Sequence, residues 1–280
     1  MKILILGGTG MIGHRLWLEL SKTFETYATV RENSPFELPC VRGIDFYDFA
    51  SIKKALKEVR PDFVINCTGV IKQLDDSKNA LKSIQMNALL PHLIAQECET
   101  IGARMLQFGT DCAFDGKKGM YMDDEPGNAT DIYGRTKYLG EIFDQEHVLT
   151  VRTSMIGREL SSQNGLVEWF LAQKGRDIKG FSKAIYSGFP VKTFADIIVK
   201  YIIPRHLHGV YNISSEPISK FDLLVLLNEI FSADVNIMKD ELFTMDRSLD
   251  SQKFRKEVGF RPQSWAEMVQ DIKIEDLLYK

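Results

Sequence analysis

The N-terminal stretch constrains the fold more than any other part of the chain. Lys2-Ile3-Leu4-Ile5-Leu6 is an apolar run that passes directly into Gly7-Gly8-Thr9-Gly10-Met11-Ile12-Gly13. A short run without polar alternation suits a strand buried on both faces, as in a parallel sheet. Gly7, Gly10 and Gly13 recur every third residue where strand should give way to helix. Glycines so placed allow a tight turn and let the backbone approach a pyrophosphate, whose charge then faces the helix N-terminus. The plain alternative is a glycine-rich strand-to-helix turn; its position at the first strand favours the dinucleotide cradle.

The first half of the chain repeats this strand–helix rhythm. Lys2–Leu6, Thr26–Val30, Phe63–Asn66, Arg104–Phe108 and Val148–Arg152 have strand character, and Met11–Lys22, Ser51–Val59, Lys82–Ile101 and Ile132–Gln145 have helical periodicity. Pro61 and Gly102 stand where helices stop. The expected class is α/β, a Rossmann-type doubly wound parallel sheet. Beyond Thr153 the rhythm changes. Asn164–Lys174, Thr193–Tyr201, Lys220–Phe231 and Ser264–Leu278 look helical, with short strands at Val210–Ile213 and Val235–Met238. The division expected is a dinucleotide-binding domain over 1–153 and a smaller, mostly helical substrate lobe over 154–280, with part of the later chain free to rejoin the sheet.

Composition excludes several classes. A net charge of −3 gives no reason to expect nucleic acid or an anionic membrane as partner. No apolar run reaches the ~20 residues of a membrane helix. The N-terminus enters a strand without the regions of a signal peptide. Cys40, Cys67, Cys98 and Cys112 form no CxxC pair, as expected of reduced thiols in a cytoplasmic protein. His206 and His208 have no accompanying carboxylate or thiol cluster, so no metal site is expected.

The end of the second strand bears on cofactor choice. A carboxylate there would bond the adenosine ribose of NAD, whereas Thr29-Val30-Arg31 offers an arginine suited to the 2′-phosphate of NADP. A solvated arginine is the alternative, and Glu32 blurs the signal. Asp45 is placed either near the adenine edge or as a capping residue.

Tyr133 and Lys137 lie one helical turn apart on one face. A free phenol, with a pKa near ~10, is poorly matched to proton transfer at neutral pH. A neighbouring ammonium is expected to lower it and to hold the hydroxyls of a nicotinamide ribose. Thr110 follows the strand Arg104–Phe108, at the carboxyl edge where open α/β sheets bind ligands. An exposed Tyr/Lys pair and a loop-capping threonine are the ordinary alternatives.

Together these residues resemble the extended short-chain dehydrogenase/reductases, and within them the dTDP-4-dehydrorhamnose reductase-like nucleotide-sugar 4-ketoreductases. The resemblance rests on Gly7–Gly13, Asn66-Cys67-Thr68-Gly69, Thr110-Asp111-Cys112-Ala113-Phe114-Asp115-Gly116, Tyr133-Gly134-Arg135-Thr136-Lys137, Val151-Arg152-Thr153-Ser154, Gly209–Ile213 and Gly259–Trp265. It implies Thr110, Tyr133 and Lys137 as the catalytic set. It implies Gly7, Gly10, Met11, Ile12 and Gly13 at the pyrophosphate, Cys67, Thr68 and Gly69 beside the adenosine and ribose, and Asn87 behind the active site. Thr153 and Ser154 would pass near the nicotinamide. Asn164, Val167 and Trp169 fall where nucleotide-sugar contacts are implied; Trp169 and Phe170 also have helical packing spacing. Arg247 is placed to meet a phosphate or to form a surface salt bridge.

The chain departs from the pattern at Cys112, where the family usually has an aromatic residue and related 4,6-dehydratases have a glutamate. Without that acid the dehydratase pair is lost, and ketone reduction is the economical reading. Lys72 and Gln73 either reach the substrate's diphosphate or acylamino group or belong to a solvated loop. Asp111 and Cys112 are candidate substrate contacts. Asp123-Asp124-Glu125 is expected to be a solvated loop. The function expected is NADPH-dependent reduction of the 4-keto group of a dTDP- or UDP-linked 6-deoxy sugar in surface polysaccharide synthesis. The rivals are an epimerase with tightly bound NAD and a non-catalytic dinucleotide-binding regulatory subunit. A homodimer is left open.

Overall fold

The structure, a computed structural model, describes residues 1–71, 79–161, 163–274 and 279. The first half alternates as expected: β1 (Lys2–Leu6), α1 (Met11–Leu20), β2 (Glu25–Thr29), β3 (Cys40–Val41), α2 (Phe49–Val59), β4 (Phe63–Asn66), α3 (Ala80–Ser83), α4 (Leu90–Ile101), β5 (Arg104–Phe108), α5 (Ile132–Leu139) and β6 (Val148–Arg152). The second half contributes β7 (Met155–Ile156), α6 (Leu166–Leu171), β8 (Asp177–Tyr186), β9 (Phe189–Pro190), α7 (Val191–Ile197), β10 (Gly209–Asn212), β11 (Ile218–Ser219), α8 (Lys220–Phe231), β12 (Asn236–Asp246), α9 (Gln252–Val258) and α10 (Trp265–Ile274).

The main sheet has seven strands in the order β10-β6-β5-β4-β1-β2-β3, all paired in parallel. Because side chains alternate across a strand, β1 feeds two cores. Ile3 and Ile5 join Trp17, Leu106, Val151 and Phe194 on one face; Leu4 and Leu6 join Ile52, Leu56, Val64 and Ile94 on the other. The strand order reverses beside β1, so the crevice at the carboxyl ends of β1 and β4 is the topological switch point.

The chain past Thr153 is not a separate body. Its strand β10 pairs with β6 in the main sheet, and its helices share the core of Ile3 and Ile5. A three-stranded sheet, β11-β8-β12, lies among those helices. Its central strand, β8, was not expected from the sequence, and β12 is far longer than Val235–Met238. In β8, Ile178, Gly180, Ala184 and Tyr186 are buried while Asp177, Lys179 and Lys183 are exposed. The alternation is present, but glycine and alanine take the inward positions that a longer apolar residue usually marks. Gly180 leaves room for Phe221 and Ile237.

Helix boundaries have local causes. Asp131 caps α5 by accepting a hydrogen bond from the Gly134 N–H at 2.9 Å. The helix stops at Leu139 rather than running to Gln145, because Gly140 passes against the Asn87 carbonyl and a Cβ there would collide with it. Between α3 and α4 the chain widens into a π turn over Ile84–Leu89, which brings Asn87 inward. There the Asn87 carboxamide bonds both the N–H and the carbonyl of Val70, at 2.9 and 3.0 Å. No helix among the described residues is long and apolar enough to cross a membrane.

One ion pair is buried completely. The Arg152 guanidinium donates from Nη2 to Glu141 Oε2 at 2.8 Å, with both side chains at most 1% exposed. Removing one partner leaves the other as an uncompensated buried charge. Glu141→Ala is expected to destabilise the protein by about 3–5 kcal/mol, measured as a shift in the urea unfolding midpoint. A loss below ~1 kcal/mol, the level of exposed pairs, would remove the pair from the scaffold.

Candidate active site

A cleft of about 500 Å³ opens at the carboxyl edge of the main sheet. One end is the glycine loop, with Thr9, Gly10, Met11 and Ile12; the middle is Cys67, Gly69 and the β5 end, Phe108 to Cys112; Tyr133, Thr153, Ser154 and Asn164 lie along it. The topology alone produces this meeting, because each segment follows the carboxyl end of a parallel strand.

The glycine loop has the shape a pyrophosphate needs. Gly7 has φ +87°, in the region that favours glycine, and a Cβ on Gly13 would run into the Gly7 carbonyl. α1 has no side-chain cap and no acidic residue in its first turn, so no carboxylate of the helix itself competes for its first N–H groups. These residues fit a dinucleotide diphosphate. Arg31 is exposed just beyond β2, whose Thr29 carbonyl accepts from the Gly8 N–H at 2.9 Å. Asp45 does not line the cleft. Its carboxylate accepts from the Tyr47 N–H at 3.0 Å, within the turn before α2, and the helix cap is Asp48. Thr68 is tied to Asn66, its hydroxyl donating to Oδ1 at 2.6 Å, while Cys67 and Gly69 face the cleft.

Thr110, Tyr133 and Lys137 are brought together. Thr110 caps the short turn Asp111–Ala113, its hydroxyl accepting from the Cys112 N–H at 3.1 Å. The same hydroxyl donates to Asp111 Oδ1 at 3.3 Å and is near enough to the Tyr133 phenol to favour its ionised form. The Lys137 ammonium is buried and donates to the Phe108 carbonyl at 2.6 Å. Burial pushes its pKa down to about 8, against Glu141 and Cys67, which favour the charged form.

The tyrosine differs from expectation. Its pKa is raised, chiefly by burial and further by Cys112, Asp111 and Asp131, with only the Thr110 hydroxyl pulling it down. Lys137 does not hold it down here: its ammonium is committed to Phe108, and the groups nearest the phenol are acidic. The phenol therefore stays protonated through the neutral range.

The substrate candidates divide. Asp111, Cys112 and Asn164 line the cleft. Burial raises Asp111 above the usual carboxylate range, opposed by Arg247 and Lys220. Trp169, 39% exposed on α6, does not line it, whereas Phe170 is fully buried. Arg247 forms neither an ion pair nor part of the cleft wall. It donates from Nε to the Phe114 carbonyl at 2.9 Å and from Nη1 to Cys112 Sγ at 3.3 Å, bracing the Thr110–Gly116 loop. Lys72 and Gln73 lie outside the described residues. Asp123 is not merely solvated: it accepts from the Asn212 N–H at 2.6 Å, and burial raises its pKa. Phe108, which contributes its carbonyl, and Glu159, which lines the cleft, were missed. A backbone acceptor leaves no mark on residue type, and Glu159 stands outside any motif.

The family model described as the RmlD substrate binding domain matches residues 1–277. The chain belongs to that family. It is 24% identical to the spore coat polysaccharide biosynthesis protein SpsK of Bacillus subtilis, over 96% of each chain. It is 29% identical to the dTDP-4-dehydrorhamnose reductase of Streptomyces griseus, over 49% of this chain and 43% of that one. Among solved structures, the dTDP-4-dehydrorhamnose reductase of Bacillus anthracis in complex with NADP superposes with a TM-score of 0.80 at 22% identity, covering 98% of this chain and 99% of that one. At that identity the likeness concerns the fold.

Gly13→Ala is expected to cost about 1–3 kcal/mol in overpacking and to abolish NADPH binding. A fluorescence titration checks this; undiminished binding would show that the loop is not the cradle.

Proposed function

We propose that this protein is an NADPH-dependent reductase of the 4-keto group of a nucleotide-activated 6-deoxy sugar, serving surface polysaccharide synthesis. One observation carries the reading. A protonated phenol, near a threonine hydroxyl, shares a cleft with a glycine cradle for a dinucleotide diphosphate. Family membership and the printed names of the relatives supply the sugar-nucleotide class.

Gly7, Gly10, Met11, Ile12 and Gly13 would hold the diphosphate, Cys67, Thr68 and Gly69 would flank the adenosine side, and Arg31 would meet the 2′-phosphate. When bound, the reduced nicotinamide supplies hydride. Thr110 holds the substrate oxygen by a hydrogen bond and so orients the carbonyl. Tyr133 gives its phenolic proton to that oxygen as negative charge develops there. An alkoxide is a far stronger base than a phenolate, so a raised phenol pKa still permits the transfer and keeps the donor loaded. Lys137, whose buried ammonium donates to the Phe108 carbonyl, would hold the hydroxyls of the nicotinamide ribose.

Tyr133→Phe is expected to lower turnover of a 4-ketosugar nucleotide by on the order of 10²–10⁴, with NADPH binding retained. Near-normal rates would end the assignment. The pH profile tests Lys137. Its folded-state pKa of about 8 lies below the unfolded value, so its burial costs stability at lower pH and that cost disappears as pH rises. Activity runs the other way: kcat/KM is expected to fall as pH rises through about 8, where the ammonium is lost. Glu141→Gln removes a charge that favours the ammonium and should move this limb to lower pH. A limb that does not move would dissociate it from Lys137.

A further inference from the structure

Behind the cleft lining lies a tyrosine that the proton-transfer set leaves unused. At the end of β8, Tyr186 is 4% exposed and its hydroxyl has no hydrogen-bond partner. The Ser154 hydroxyl is close enough to favour the phenolate slightly, but no hydrogen bond of full geometry forms. Gly188 shows where the hydroxyl points. A methyl there would strike both the Tyr186 hydroxyl and the Ser154 carbonyl, so the phenol tip adjoins the Ser154 segment that lines the cleft.

β11 pairs antiparallel with the end of β8, Ile218 opposite Tyr186. That register delivers Lys220, the first residue of α8, onto the tyrosine ring, with Nζ 4.8 Å from the centroid. The ammonium makes no hydrogen bond or ion pair with any described residue. It faces Asp111 and Cys112, both on the cleft, and each favours its charged form against burial. Arg247 is the other cation near Asp111, and its Nε and Nη1 are already engaged by Phe114 and Cys112.

A buried carboxylate thus lies on the cleft, and an unpartnered hydroxyl and an ammonium with its N–H groups unused lie behind it, adjoining Ser154 and Asp111. Buried polar groups without partners disfavour the empty state, and a ligand that supplies partners recovers the difference. The pattern of donors and acceptors decides what kind. The complement accepts from Lys220 and Tyr186 and donates to Asp111, which a hydroxyl or a secondary amide does. A phosphate has no donor for Asp111 and would be repelled by it.

We propose that Lys220, Tyr186 and Asp111 form a sugar-ring subsite that selects the ketosugar by a substituent able both to accept and to donate hydrogen bonds, a hydroxyl or an acylamino group. This deepens the reductase reading and rests on it. The test uses the full chain and its Lys220→Met, Lys220→Arg and Tyr186→Phe variants. NADPH consumption is followed with ketosugar nucleotides bearing a hydroxyl, an acetamido group or neither at C2. Lys220→Met is expected to raise KM for the preferred ketosugar by on the order of tenfold or more, with kcat and NADPH binding unchanged. Lys220→Arg should recover part of the loss, and the 2-deoxy substrate should be indifferent. A rise confined to the acetamido or to the hydroxyl substrate identifies the group.

Tyr186→Phe deletes only the unpartnered hydroxyl and should raise KM in the same direction, so it decides the matter should Lys220→Met not fold. Unchanged KM in the folded variants overturns the subsite. If the unaltered protein reduces none of these sugars, the reductase reading fails by itself. Calorimetric titration of the same sugar nucleotides then judges the subsite: weaker binding to Lys220→Met supports it, and equal binding, or none to the unaltered protein, overturns it.

Discussion

The buried pair of Arg152 and Glu141 is the constraint on which the site depends. Arg152 ends β6 and Glu141 follows α5, so the pair fixes the helix carrying Tyr133 and Lys137 against the sheet edge carrying Thr110. The same guanidinium donates to the carbonyls of Asp123 and Glu125, both at 3.1 Å, and lies over the Phe114 and Tyr138 rings. Gly109 passes so close that a Cβ there would press on the Glu141 carboxylate and the Arg152 side chain. One desolvated cation thus sets the spacing among helix, strand end and loop. Its hydrogen bonds are all directed, which makes so deep a charge tolerable.

That arrangement explains the electrostatics of the phenol. The loop from Thr110 to Asp115 brings a hydroxyl, a carboxylate and a thiol to the Tyr133 side, while Lys137 is drawn back to the Phe108 carbonyl. The tyrosine is surrounded mostly by groups that resist its ionisation. A helical i, i+4 pair on paper suggests direct contact; in three dimensions the lysine's reach is taken by a strand-end carbonyl.

Much of the first half was legible because the physics there is local. Four strands are buried on both faces and match the expected spans at Lys2–Leu6, Phe63–Asn66, Arg104–Phe108 and Val148–Arg152, while the strand expected at Thr26–Val30 runs one residue earlier, Glu25–Thr29. The glycine loop and the residues following β4 and β5 were legible for the same reason, since a parallel sheet puts ligand chemistry at its carboxyl edge. What was hidden depends on partners distant in sequence. The end of α5 is set by Asn87, β8 places glycine and alanine inward, and Asp45 turned to its own backbone. Tyr186 and Lys220 carry no motif, because only the β8–β11 pairing brings them together.

The loop that follows Thr110 is tied down by residues far along the chain. Asn212 donates from its side chain to the Tyr121 carbonyl at 2.7 Å, and the Tyr121 N–H donates to the Ser248 carbonyl at 3.0 Å. Arg247 braces Phe114 and Cys112 from the same direction. During synthesis, the dinucleotide cradle can assemble from local pieces while the Thr110–Glu125 segment still lacks its clamps. Such long-range closure is slow relative to local helix and strand formation. A nascent chain of this kind orders the glycine loop early and the Thr110–Glu125 segment only once Asn212, Arg247 and Ser248 have emerged and docked.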